Sequence, residues 1–239
     1  MRRDRFGLLH IGKTGGTAVN TVLRAAKKLR VGRRTGLYGH AVGLQYVADH
    51  DKTRNLIFFI REPVSRYISA FNSRLRRGYP RHGNTWTEQE EIAFTYFKTP
   101  NELAEALSAG DAELRQQATD AMTGIKHLKR DYRHYLGSVE LLEQERDRIY
   151  FIGATETFDG DFSLLRKLLR VPDDLELPTD DLGAHKTPDS FEKTVSDLGR
   201  SNIENYYADD YAIYRWCVKR REELLPLRQA EAAEKAKVK

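Results

Sequence analysis

With 239 residues, of which 40% are hydrophobic, the chain has the length of one globular domain and can bury a core without metal or disulfide staples. The single cysteine, Cys217, excludes an internal disulfide and any cysteine-based zinc site, and no stretch approaches the roughly 20 apolar residues of a membrane span. The 40 basic and 35 acidic residues leave a formal charge of +5. That surplus suits an anionic partner such as a nucleotide, a nucleic acid or an acidic sugar and does not choose among them, while acidic residues spread through the chain argue against the continuous basic face of a nucleic-acid binder. The N-terminal apolar stretch is too short for a signal-peptide core, and these features together predict a cytoplasmic protein with no membrane anchor.

In chain order, the apolar run Phe6–Ile11 predicts a first strand. Gly12-Lys13-Thr14-Gly15-Gly16-Thr17 follows as a turn, and then a helix on which Val19, Val22, Leu23, Ala26 and Leu29 share one face, with Thr17 as its N-cap. Leu37-Tyr38-Gly39-His40 reads as a short strand ending at a glycine–histidine pair. Asn55–Ile60 (Asn-Leu-Ile-Phe-Phe-Ile) is continuously apolar, as a strand covered on both faces is. Glu62-Pro63 opens a second helix with Pro63 near its first position and Val64, Tyr67, Ile68, Phe71 and Leu75 on its apolar face.

Gly78–Thr87 reads as a polar loop, Glu88–Arg146 as several helices with the last near Tyr132–Arg146, and Arg148–Gly153 as another strand. Phe162–Leu169 is helical, Pro172–Pro188 a loop, Phe191–Leu224 helical, and Arg228–Lys239 a charged tail. Strands alternating with helices predict an α/β fold, a three-layer arrangement with a central parallel sheet flanked by helices. The expected organisation is one domain over residues 1–225 and a charged tail over 226–239.

The glycine-rich segment lies between a strand and a helix, where backbone amides and the helix dipole converge on an anion. Gly15 and Gly16 permit close backbone approach, Lys13 adds a mobile positive charge, and Thr14 and Thr17 add hydroxyls. Gly7-Leu8-Leu9-His10-Ile11-Gly12-Lys13-Thr14 matches the pattern of a nucleotide-binding P-loop. Its intervening residues are those of the strand itself, however, and the flexible glycines come after the lysine. The later strand Asn55–Ile60 ends in Arg61, which would repel the magnesium ion such enzymes need. Two alternatives therefore stand behind the main reading: an ATP–magnesium kinase or NTPase, and a non-enzymatic polyanion binder.

Arg61 ends a buried strand and Ser69 lies two turns into the next helix, a guanidinium fork and a compact hydroxyl that suit one phosphate. His10–Thr17 and Ile60-Arg61-Glu62-Pro63-Val64-Ser65-Arg66-Tyr67-Ile68-Ser69-Ala70-Phe71 together resemble the two cofactor motifs of the sulfotransferases that use 3′-phosphoadenosine 5′-phosphosulfate (PAPS). The similarity is to the carbohydrate type, which includes the heparan sulfate 2-O-sulfotransferases and bacterial relatives. It is dense over residues 6–74 and diffuse to about Leu224. It implies the nucleotide-kinase-like sulfotransferase fold, PAPS as sulfuryl donor, no metal, and a hydroxyl-bearing acceptor, a carbohydrate by analogy.

The same resemblance implies that Lys13, Thr14, Gly15, Gly16 and Thr17 hold the 5′-phosphosulfate end, and that Arg61 and Ser69 hold the 3′-phosphate. It further implies a late loop closing over the cofactor, for which Gly183-Ala184-His185-Lys186-Thr187 is the candidate, with Lys186 its cation. The chain departs from the family in having Gly12 for a usual proline, Glu62 for a frequent aspartate, and no N-terminal anchor of the Golgi members.

Sulfuryl transfer to an alcohol needs charge stabilisation at the leaving oxygen, assigned to Lys13, and a general base. His40, between the two motifs, is assigned that role. His10, on the first strand, reads as a packing residue.

Overall fold

The computed structural model describes residues 5–51, 55–80, 83–177 and 187–237. These form two compact units, one of Met1–Arg61, Tyr132–Asp180 and Ala212–Lys239, the other of Glu62–Asp131 and Asp181–Tyr211.

The first unit is built on four parallel strands: β1 (Phe6–Leu8), β2 (Thr35–Leu37), β3 (Asn55–Ile60) and β4 (Ile149–Ala154), in the order β2-β1-β3-β4. The chain moves from β1 to β2 on one side, then back past β1 to β3. The switch point thus lies between β1 and β3, where open α/β sheets bind ligands at their carboxyl ends.

The six-residue strand β3 is covered on both sides, as its unbroken apolar run requires. Leu56, Phe58 and Ile60 enter one core with Leu9, Ile11, Tyr132, Tyr135, Leu136 and Ile213. Ile57 and Phe59 enter the other with Phe6, Leu8, Val19, Val22, Phe162 and Leu165. Helices α1 (Gly16–Leu29) and α9 (Phe158–Leu169) supply the second core. Helices α2 (Leu44–His50), α7 (Tyr132–Leu136) and α8 (Val139–Gln144) supply the first, with the part of α11 (Ala208–Lys237) beyond Ala212. This is the three-layer α/β arrangement expected. The β3–β4 register shifts at Leu56/Ile57 and skips Tyr150, a bulge that sends Tyr150 and Phe151 into the same core.

Several boundaries differ from expectation. The first strand ends at Leu8, because the chain must curl into the glycine loop. Its helix begins at Gly16 with Gly15 as N-cap, so Thr17 lies inside it, and Leu29 is 59% exposed. The helix expected near Tyr132–Arg146 is broken at Gly137, whose φ of 77° ends α7. Ser138 then caps α8 through its hydroxyl, which accepts from Leu141 N at 3.3 Å. Helix α9 starts four residues early, at Phe158.

The stretch read as a charged tail continues α11 through Pro226 to Lys237. Arg228 donates from Nε to the Tyr150 carbonyl of edge strand β4 at 2.8 Å and lies 3.9 Å from the Tyr150 ring centroid. The Tyr150 hydroxyl bonds Glu231 at 2.8 Å, and Ala232 is buried. The charges that suggested a tail instead cover a sheet edge.

The second unit is helical: α3 (Pro63–Leu75), α4 (Glu88–Tyr96), α5 (Pro100–Ala106), α6 (Ala112–Gly124) and α10 (Asp197–Tyr206) around Val64, Tyr67, Phe71, Phe94, Phe97, Leu103 and Met122. Glu62 caps α3, its carboxylate accepting from Val64 N (3.1 Å) and Ser65 N (2.8 Å) ahead of Pro63. The helix expected from Phe191 starts at Asp197, where Ser196 caps it. No described helix is long and apolar enough to cross a membrane.

Candidate active site

Within the first unit, the loops after β1, β2 and β3 all leave the carboxyl edge of the sheet. The loop after β1 carries Lys13 in the left-handed region (φ 69°) and Gly15 likewise (φ 77°). Gly15 is held there by packing as well as by conformation, since a Cβ would stand 2.6 Å from the Phe158 ring. Thr14 is buried and donates its hydroxyl hydrogen to Ile11 O at 3.0 Å, closing the turn. Among the described residues no side chain caps α1, and no acidic residue lies in its first turn. The positive end of the helix dipole thus lies beside Lys13, with the Ala18 amide turned back onto Gly15 O at 3.1 Å.

Gly16 owes its identity to a neighbouring ring. A Cβ there would lie 2.8 Å from His10 Nε2 and closer still to Cδ2. His10 is only 8% exposed, and the Asn20 side-chain amide of α1 holds it through a hydrogen bond to His10 Nδ1 at 2.7 Å. Burial first, then the charges of His40, Arg24 and Lys13, lower the His10 pKa to about 3, so the ring stays neutral.

The His40 ring lies tilted against this ring, the centroids 3.7 Å apart and the planes at 36°. It is exposed, in a turn closed by Val42 N bonding Gly39 O at 3.0 Å, and its carbonyl lies 3.4 Å from His134 Nε2 of α7. The Glu62 carboxyl, although burial alone would raise its pKa, is brought below the usual range by the Tyr211 hydroxyl and the Ser65 and Val64 amides.

Arg61 follows the last residue of β3. One hydroxyl holds its backbone: Tyr132 Oη accepts from Arg61 N at 2.8 Å and donates to Arg61 O at 2.6 Å. The structure thus brings Lys13, Thr14, Gly15, Gly16, Thr17, His40 and Arg61 to one edge of one sheet. Ser69 belongs to the second unit, partly exposed on α3. Gly183–Lys186, including the candidate cation Lys186, lie outside the described residues. Among the described residues, no group of three or more His, Cys, Asp or Glu is arranged to hold a metal ion.

Of the arginines that follow Ile60–Phe71, Arg74 and Arg76 are buried, while Arg77 is exposed. Arg74 is buried against Glu90 (2.6 and 2.5 Å), Arg76 bonds the Tyr79 carbonyl, and Arg77 stacks 4.3 Å from the Trp86 ring.

Sequence reasoning missed Asn20, Tyr132 and Tyr135. Asn20 alone left a signal, as a polar residue beside Val19 on an apolar helix face. Tyr135 Oη stands 2.8 Å from where a Cβ of Gly12 would be, which gives the missing proline at residue 12 a structural counterpart.

Against known proteins, no curated protein matches the chain. The profile of the sulfotransferase family matches residues 2–216, a span that takes in the glycine loop, His40, Arg61, Ser69 and α7. With the parallel sheet, the uncapped helix after β1 and the arginine after β3 all within that match, the chain belongs to the sulfotransferase family.

Proposed function

We propose that this sulfotransferase takes its sulfuryl group from PAPS and delivers it to a hydroxyl of a carbohydrate. The observation that carries the proposal is the uncapped start of α1 with Lys13 beside it, at the sheet's switch point and on the same edge as Arg61. This is a donor set for anions: backbone amides, a helix dipole and cations, with no carboxylate in the first turn of α1.

On this reading, the amides of Thr14 to Thr17 and the Lys13 ammonium hold the 5′-phosphosulfate end. Thr14 contributes its backbone, since its hydroxyl hydrogen goes to Ile11. Arg61 takes the 3′-phosphate, and the motif spacing assigns Ser69 to the same group. Lys186 remains the proposed cation of a closing loop. The bound donor supplies an activated sulfuryl group on a phosphate leaving group. His40 accepts the proton of the attacking hydroxyl as the new sulfur–oxygen bond forms. Lys13 stabilises the charge left on the departing phosphate oxygen. A cytoplasmic place of action, suggested by the lone cysteine and the lack of an apolar span in the sequence, is part of the proposal.

Calorimetry and thermal shift without metal test it. Adenosine 3′,5′-bisphosphate at about 100 times its dissociation constant should stabilise the protein by roughly 2.7 kcal/mol. Arg61→Ala should lose roughly 1.5–3 kcal/mol of that binding, the contribution of a charged hydrogen bond. Stabilisation by ATP–magnesium and none by the bisphosphate would overturn the proposal in favour of a kinase or NTPase.

A further inference from the structure

We infer that α7 is the brace of the donor site, with Tyr132 positioning Arg61 and Tyr135 positioning the loop at Gly12–Thr17. The inference rests on the donor reading above and adds two residues to it, neither of which lies in the two motifs.

Arg61 stands just past the last paired residue of β3, Ile60, so the sheet no longer dictates where its side chain points. Tyr132 replaces the missing ladder. Its single hydroxyl accepts from the Arg61 amide and donates to the Arg61 carbonyl, at 2.8 and 2.6 Å. With both main-chain groups of one residue engaged, the peptide planes on either side cannot rotate, and the direction of the guanidinium stem is set. Tyr132 is itself fully buried in the core beneath β3.

Three residues along, on the same side of the helix, Tyr135 reaches the other motif. Its hydroxyl oxygen is 2.8 Å from the position of a Gly12 Cβ, and Cζ is 3.6 Å from it. The hydroxyl therefore packs on the bare Cα of the residue that precedes Lys13. The helix cannot retreat, because Tyr135 and Leu136 are buried in the core and Gly43 seats against the His134 carbonyl, where a Cβ would come within 2.7 Å. One rigid helix thus touches both anion motifs, each through a tyrosine hydroxyl.

The two tyrosines should leave different signatures in calorimetry against adenosine 3′,5′-bisphosphate and adenosine 5′-monophosphate, which lacks the 3′-phosphate. The wild-type protein must first prefer the bisphosphate. Equal affinities there overturn the donor reading itself, before any variant is made. Given that preference, Tyr132→Phe should shrink it about tenfold, because only the 3′-phosphate partner is misdirected. Tyr135→Phe should weaken both nucleotides alike, about threefold to tenfold, and keep the preference.

A purely structural role for Tyr132 would lower both affinities together, and that result, or unchanged affinities in either variant, refutes the inference. Gly12→Ala gives an independent arm. It should weaken both nucleotides, and adding Tyr135→Phe should restore them, since the clash is with the hydroxyl. A double variant no better than Gly12→Ala alone also refutes the positioning of the loop by Tyr135.

Discussion

Substituting Gly16 by alanine tests whether this residue is glycine because of His10. An alanine Cβ would stand 2.8 Å from His10 Nε2, where ordinary contact needs 3.4–4 Å, so the ring must move by most of an ångström. It has little room to do so. Asn20 grips Nδ1 at 2.7 Å, and the His40 ring covers one face at 3.7 Å.

Breaking the Asn20–His10 bond leaves buried polar atoms unpaired, at a cost of roughly 1–3 kcal/mol. Residual overpacking adds roughly 1–3 kcal/mol, and the better helix propensity of alanine returns about 0.5–1. The net loss should be about 2–4 kcal/mol. For a chain of this size, where each kcal/mol moves the midpoint by about 2–4 °C, thermal unfolding should occur roughly 5–15 °C lower. Because the collision is with one ring, Gly16→Ala combined with His10→Ala should be more stable than the sum of the single effects. If Gly16→Ala melts with the wild type, or the two losses simply add, the packing argument is wrong.

Other expectations follow from the same contacts. His10 is buried and neutral, with His40, Arg24 and Lys13 as its charged neighbours, so the unfolded chain takes up a proton near pH 6.5 that the folded one refuses until about 3. Its contribution to stability is complete above pH 6.5 and lost as pH falls toward 3, and between pH 5 and 6 His10→Gln should flatten the stability curve by up to about 1.4 kcal/mol per pH unit. An unchanged slope would show that His10 titrates normally. His40→Ala should bind adenosine 3′,5′-bisphosphate like the wild type while turnover falls by roughly 10²–10⁴, and near-normal turnover on a working acceptor would move the base elsewhere. Arg74→Ala strands the buried Glu90 carboxylate, which also accepts from the Thr87 and Lys126 amides, and should cost about 3–5 kcal/mol in denaturant unfolding. A loss below about 1 kcal/mol would mean that water reaches Glu90.

Much of the site was legible locally. Five consecutive apolar residues, Leu56–Ile60, announced a strand covered on both faces, and Pro63 after Glu62 announced a helix start. Both hold, because burial and φ restriction act on neighbours in the chain. A glycine loop between strand and helix, a histidine after the next strand and an arginine at the end of the third were all readable as places on one sheet edge.

Only the tertiary structure decided what holds those residues in place. Tyr132 lies 71 positions from Arg61, and Glu231 lies 81 from Tyr150. Nothing in the spacing of Tyr132 and Tyr135 marks them as clamps rather than core. The cap of α1 passed from Thr17 to Gly15 because the loop needs a left-handed residue packed on Phe158, and the supposed tail became a docked helix because β4 is an edge. Periodicity records which face of an element is buried. It carries no trace of which distant hydroxyl, ring or strand edge that face will meet, since those contacts are chosen when the chain closes on itself.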